Sequence, residues 1–141
     1  MKLKSILLIL FVTLALTACG GGATAVAEPP IDVNAEELNL GPTVDVATVA
    51  AIMNRDDVVL IDVREQSEYD ESHIPNITLI PLATIPDSLD QIPTDKTVIV
   101  TCHSGNRSGQ ATDYLRQHGF DNVHNMEGGI IAWQDAGYPV E

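Results

Sequence analysis

The sequence predicts an α/β domain built on a parallel sheet with helices on both faces. Two apolar runs, Val58-Val59-Leu60-Ile61 and Thr97-Val98-Ile99-Val100, show no polar alternation. Continuous runs of that kind belong to strands covered on both sides, the usual state of parallel strands. Segments with helical spacing lie between them, and strand alternating with helix implies parallel pairing through crossovers. At 141 residues the chain suffices for one such domain and not for two.

The first 18 residues have another purpose. Lys2 and Lys4 precede Ile6-Leu7-Leu8-Ile9-Leu10-Phe11-Val12, and a small-residue stretch follows. This is the layout of a secretory signal, with an apolar core too short for a confident membrane span. Leu16-Thr17-Ala18-Cys19 is similar to the bacterial lipobox, in which cleavage precedes the cysteine and the cysteine is lipidated. The expectation is a lipoprotein signal peptide over 1–18 and an anchor on Cys19, placing the protein in the cell envelope on the periplasmic or extracellular face. An ordinary signal cut elsewhere is the alternative. Residues 19–42 hold Gly20-Gly21-Gly22, Pro29-Pro30 and Glu36-Glu37 without a sustained period. They read as a flexible tether, of about 25 Å root-mean-square span over roughly 23 residues.

The folded domain is expected over 43–141. Asp45 is placed to cap a helix whose Val46, Val49, Ala50 and Met53 share a face. Val58–Ile61 is a buried strand ending at Asp62. Glu65 to Ser72 is polar and reads as a short helix or turn. Thr78-Leu79-Ile80 is a short strand closed by Pro81, and Ile85–Ile92 a short helix starting near a proline. Val98–Thr101 is the central strand. Beyond it, Ala111, Tyr114, Leu115 and His118 fall at helical spacing, with Gly119 where a left-handed C-terminal residue belongs, so a helix starts at about Ser108. Asn122–Asn125 is a further strand and Gly129–Ala136 the last helix.

Between the central strand and its helix lies Thr101-Cys102-His103-Ser104-Gly105-Asn106-Arg107-Ser108. A loop feeding a helix N-terminus turns backbone N–H groups and the positive end of the helix dipole towards its own centre, favouring an anion there. Cys102 is placed to be that anion, because helix N-termini and nearby cations lower thiol pKa values. If Cys19 carries lipid, Cys102 has no disulfide partner, and a lone thiol in an oxidising compartment is open to oxidation. Its polar neighbours argue for a used thiol over an inert apolar one.

These residues resemble the single-domain rhodaneses, whose loop runs Cys-x-x-Gly-x-Arg-Ser, matched here by Cys102, Gly105, Arg107 and Ser108. Leu60-Ile61-Asp62-Val63-Arg64-Glu65 with Glu68-Tyr69, His73-Ile74-Pro75, Glu127-Gly128-Gly129-Ile130-Ile131-Ala132-Trp133 and Ala136-Gly137-Tyr138-Pro139-Val140 fit the family in order and spacing. The departures are Ser72 and Asn76, where glycine is usual, so that the turn is expected to be strained.

The resemblance implies a five-stranded parallel sheet of rhodanese type with the cysteine loop at its carboxyl edge. It also implies sulfur transfer. Cys102 takes the outer sulfur of thiosulfate or a similar small sulfur anion, carries it as a persulfide and yields it to cyanide or a thiol, with no metal or organic cofactor. Loop amides from His103 to Ser108 are expected to stabilise the sulfur charge. Arg107 either binds the oxyanion end of the donor or locks the loop by pairing with a carboxylate. His103 and Ser104 stand where the family selects substrate, although His103 also fits an exposed side chain acting only through its N–H. Gly105 is expected at positive φ or in close backbone contact, a need Asn106 serves less well. Asp62 and Arg64 read as a supporting ion pair, with Glu68 an alternative partner for Arg64. His73 reads as structural, Gly128-Gly129 as helix entry and Trp133 as core.

Seven basic and 20 acidic residues give −13, and removing Lys2 and Lys4 with the signal leaves 5 against 20, or −15. That charge excludes nucleic acid as a favoured partner. A monomer is expected, touching the membrane only through its anchor. His73, His103, His118 and His124 lack metal-ligand spacing. Cysteine phosphatases share the anion-cradle logic but place five residues between Cys and Arg. Here only His103, Ser104, Gly105 and Asn106 intervene, and a shorter cradle suits sulfur better than phosphate. A tethered persulfide carrier, thiol-redox protein or binding module for a protein partner is the other reading.

Overall fold

The computed structural model describes residues 38–141. The signal segment 1–18, Cys19 and the tether up to residue 37 lie outside the described residues. In order, the elements are β1 (Thr43–Val44), α1 (Val46–Ile52), β2 (Val58–Asp62), α2 (Gln66–Glu71), β3 (Thr78–Leu79), two 3₁₀ turns (Leu82–Asp87 and Leu89–Gln91), β4 (Thr97–Thr101), α3 (Asn106–Gln117), β5 (Val123–Met126) and α4 (Gly129–Asp135). All five strands are parallel, in the order β1-β5-β4-β2-β3.

β4 is central because both of its faces are apolar. Val98, Val100 and the following Cys102 join one core with Ile61, Val63, Ala111, Leu115 and Ile85. Ile99 joins the opposite core with Leu60, Val49, Ile52, Ile130 and Trp133. The two-residue period of a strand makes that division. Hence α3 and the 3₁₀ turns cover one face of the sheet, and α1 and α4 cover the other. β2 lies beside β4 in register from Val58↔Thr97 to Asp62↔Thr101, which brings the motif after β2 level with the loop after β4.

Asp45 caps α1 through Oδ1, which accepts from the N–H groups of Ala47 at 2.9 Å and Thr48 at 3.0 Å. Four differences from the sequence expectation have physical causes. Residue patterns disclosed four strands; the fifth, β1, is two residues long and held by Asn125 N–H to Pro42 O at 3.0 Å and Glu127 N–H to Val44 O at 2.9 Å, too short to display a period. The expected helix over Ile85–Ile92 is replaced by 3₁₀ turns that begin earlier, at Leu82, which puts Pro86 at the fifth residue, where it has no N–H for an α-helical bond to Leu82 O. Their bonds are the shorter kind, such as Ser88 N–H to Ile85 O at 3.1 Å and Ile92 N–H to Leu89 O at 3.3 Å. α3 begins at Asn106, two residues ahead of the expected start, since Gly105 supplies the left-handed residue that turns the chain into it. His118, expected on the apolar face, is exposed; it follows the last turn, donates its Nδ1–H to Tyr114 O at 2.7 Å and stacks on the Tyr114 ring.

Leu38 and Leu40 pack against the core that holds Trp133, and Arg116 Nη2 donates to Pro42 O at 2.9 Å. Asn76 has φ +62°, a left-handed conformation that asparagine tolerates better than most residues, whereas Ser72 is extended and unstrained. Among the described residues no helix is long and apolar enough to cross a membrane.

Ile99→Ala opens a cavity at a fully buried position on the central strand. The expected loss is about 2–5 kcal/mol, a large share of a small domain's stability. The chain's single tryptophan, Trp133, lies in the same core and reports it by fluorescence in urea titration.

Candidate active site

The site is made by backbone. Cys102 follows β4, and its Sγ accepts from the Gly105 N–H at 3.1 Å and from Ser108 Oγ at 3.4 Å. The N–H groups of Ser104 and Ser108 are directed at the same sulfur. The opposite side of the loop explains why. α4 donates its early N–H groups to loop carbonyls, Ile130 N–H to Cys102 O at 2.9 Å and Ile131 N–H to His103 O at 3.2 Å. A trans peptide points its C=O and N–H in opposite directions. Tying His103 O to α4 therefore turns the Ser104 N–H towards the sulfur.

Two glycines make this approach possible. A Cβ on Gly129 would lie 2.5 Å from Cys102 O and from His103 C, so α4 touches the loop backbone to backbone. Gly105 has φ +92°, and a Cβ there would come within 3.1 Å of Gly128 N. From Gly105 the chain enters α3, whose 12 residues direct their positive end to the loop.

Cys102 is 1% exposed. Burial pushes its thiol pKa up, but the Ser108 hydroxyl and the N–H groups of Ser108, Ser104 and Gly105 outweigh that, and the thiol is held below its ordinary value. The result is a buried, thiolate-stabilising site.

Arg107 is held by a carboxylate. Its Nη1 and Nη2 donate to Glu68 Oε2 and Oε1 at 2.6 Å and 2.7 Å, a two-point pair between α3 and α2. The Arg107 guanidinium is the first reason that the Glu68 pKa falls from 4.5 to about 2. Glu68 also accepts the Glu65 N–H at 3.1 Å, capping α2. Arg64 pairs with Asp62 at 2.7 Å, not with Glu68, and both are buried. Arg64 Nη2 donates to Ser72 O at 2.7 Å, so the pair braces the segment after α2 rather than touching Cys102. His103 and Ser104 are exposed, as is Asn106, the first residue of α3. Ser108 is fully buried. Beside the loop a cleft of about 220 Å³ is lined by Arg64, Glu68, Glu71, Ser72, His103, Ile130 and Gln134. His73 stacks on Tyr69 with centroids 3.9 Å apart and bonds Tyr69 O through Nδ1, a structural placement. Among the described residues no group of three His, Cys, Asp or Glu side chains is arranged to hold a metal ion.

Two supports escape a reading of the sequence. Asn125 on β5 donates Nδ2 to Gly105 O at 3.2 Å, while its buried Oδ1 has no partner. The Ile130 and Ile131 N–H groups hold the loop regardless of their side chains. Gly128-Gly129 was the available signal for the second, though a glycine pair indicates only helix entry until its neighbour is known.

The profile of the rhodanese-like domain matches residues 45–136, from the cap of α1 to the end of α4. The chain belongs to the rhodanese-like family. A sulfurtransferase of Allochromatium vinosum is 40% identical over 89 residues, covering 63% of this chain and 83% of that protein. The thiosulfate sulfurtransferase GlpE of Pseudoalteromonas translucida is 31% identical over 93 residues, covering 66% of this chain and 89% of the relative. Among solved structures, a rhodanese-related protein of Thermoplasma volcanium superposes with a TM-score of 0.66 at 32% identity, covering 72% of this chain and 98% of that one. The five-stranded parallel sheet and flanking helices are thus the rhodanese fold, and the homologues place this rhodanese-like domain with the sulfurtransferases.

Two outcomes test the site. Ser108→Ala removes a hydroxyl donor from Sγ, so the thiol pKa should rise; the ultraviolet absorbance of the thiolate against pH reads it, and an unmoved midpoint contradicts the geometry. The Glu68 carboxyl is lowered on folding, so its contribution to stability is complete above 4.5 and is lost as pH falls towards about 2. The stability advantage of the wild type over Arg107→Met should shrink across that window, measured by urea midpoints at stepped pH.

Proposed function

We propose that the domain is a sulfurtransferase that moves sulfane sulfur from thiosulfate or a similar small donor to a thiol or cyanide through a persulfide on Cys102. The observation that supports this reading most is the recessed Sγ, ringed by the Ser108 hydroxyl and by N–H groups at the start of α3. Such a ring of donors favours negative charge on sulfur.

The reaction has two displacements. The Cys102 thiolate attacks the outer sulfur of the donor; the new Sγ–S bond forms as the donor's S–S bond breaks, and sulfite leaves thiosulfate with the electron pair. The acceptor then attacks the outer sulfur of the persulfide, and the Cys102 thiolate is regenerated. No external oxidant or reductant enters the balance. The loop amides of Ser104, Gly105 and Ser108 stabilise the thiolate at the start and end of the cycle. Arg107, engaged with Glu68, holds α2 against α3 and keeps the loop in shape. His103 and Ser104, at the mouth, meet the remainder of donor or acceptor.

The reading extends to location. The Lys2/Lys4 start, the apolar run after it and Leu16-Thr17-Ala18-Cys19 support export and lipid attachment at Cys19, which would hold the domain at a membrane of the cell envelope.

Intact mass tests the chemistry. Reduced protein given thiosulfate should gain the mass of one sulfur atom and lose it to cyanide. Cys102→Ser should fold and show neither change; sulfur transfer retained in that variant overturns the mechanism.

A further inference from the structure

The charges around the cleft are unequal once its ion pairs are set aside. Arg64 is joined to Asp62 and Arg107 to Glu68, each pair neutral as a unit. Glu71 lines the same cleft, is exposed, and lies in no ion pair among the described residues. Lys96 cannot compensate. It precedes β4 whereas Cys102 follows it, which separates them by about 20 Å of extended chain. The loop N–H groups favour an anionic sulfur on Cys102, while the cleft formed with the adjacent His103 and with Ile130, whose N–H binds Cys102 O, carries the Glu71 carboxylate. His103, the remaining titratable side chain of the cleft, adds positive charge only when protonated.

A molecule suited to both ends has a nucleophilic sulfur and positive charge a few atoms behind it. We infer that Glu71 makes the favoured acceptor a small aminothiol, its thiolate directed at the Cys102 persulfide and its ammonium group at the Glu71 carboxylate. This rests on the sulfur-transfer reading and adds the substrate class. The aminothiol sulfur bonds to the outer persulfide sulfur, the bond between that sulfur and Sγ breaks, and its electron pair returns to Cys102 as thiolate. The product is an aminothiol persulfide. Glu71 acts on the acceptor's charge and takes no part in the bonds that change.

The test loads the full-length protein with sulfur on Cys102, removes excess donor, and follows loss of the sulfur by intact mass with cysteamine, β-mercaptoethanol or mercaptoacetate. These short thiols carry positive, zero and negative charge. Their intrinsic reactivities differ, so the quantity compared between proteins is the ratio of the cysteamine rate to the mercaptoacetate rate. In Glu71→Gln that ratio should fall about two- to five-fold, the size expected for an exposed charge contact, and in Glu71→Lys it should fall further. Added salt should lower the wild-type ratio towards that of Glu71→Gln. Equal ratios in all three loaded proteins overturn the inference and leave sulfur transfer standing. Failure of wild-type Cys102 to gain sulfur from any donor overturns sulfur transfer, and this inference with it.

Discussion

The site depends on the two-sided engagement of one short stretch of backbone. The carbonyls of Cys102 and His103 are bound by the Ile130 and Ile131 N–H groups, and the amide side of the same stretch faces Sγ. Neither half is sufficient alone. Without α4 the loop carbonyls lose their partners and the peptide planes are free to rotate; without the sulfur, several N–H groups converge on nothing. Gly129 sets the distance at which α4 can do this, since a Cβ there would lie 2.5 Å from the loop it supports. The hydrogen bonds to the sulfur gain strength from the same burial that, alone, would keep the thiol protonated.

A second layer of support is ionic. Glu68 and Arg107 tie α2 to the first turn of α3, and Asp62 and Arg64 tie the end of β2 to the chain following α2. Their value lies in position. The Glu68–Arg107 pair connects the segment after β2 to the loop after β4, two places that register alone brings level but does not hold at a fixed spacing. An acidic chain uses its few guanidinium groups here as struts.

The central features of the fold were legible because they follow from local rules. Val98, Ile99 and Val100 have to be buried on both faces, and a parallel sheet with two covering layers does that. Asp45 before an apolar helical face is a cap wherever it occurs. Gly105 was readable because a chain leaving a strand for a helix within four residues needs a left-handed turn. The misses were of another kind. β1 is defined by its partner β5 and not by any pattern of its own, and Asn125 matters through a contact with Gly105, 20 residues away. Arg107 carried two roles in the sequence, and which carboxylate it would pair with was not readable until Glu68 was placed. Family pattern located the loop residues; only the packing of α4 explained why their amides point inward.

The sheet's outer strands carry a consequence of their own. β1 and β3 stand at its two edges and are each two residues long. Parallel sheets without closure always leave two rows of unpaired peptide groups, the template on which strands of other molecules add. Here each row ends after a single pair of residues, so a neighbouring copy finds too little backbone to extend the sheet. The brevity that hid β1 from a reading of the sequence is also a defence against aggregation when many copies are crowded together.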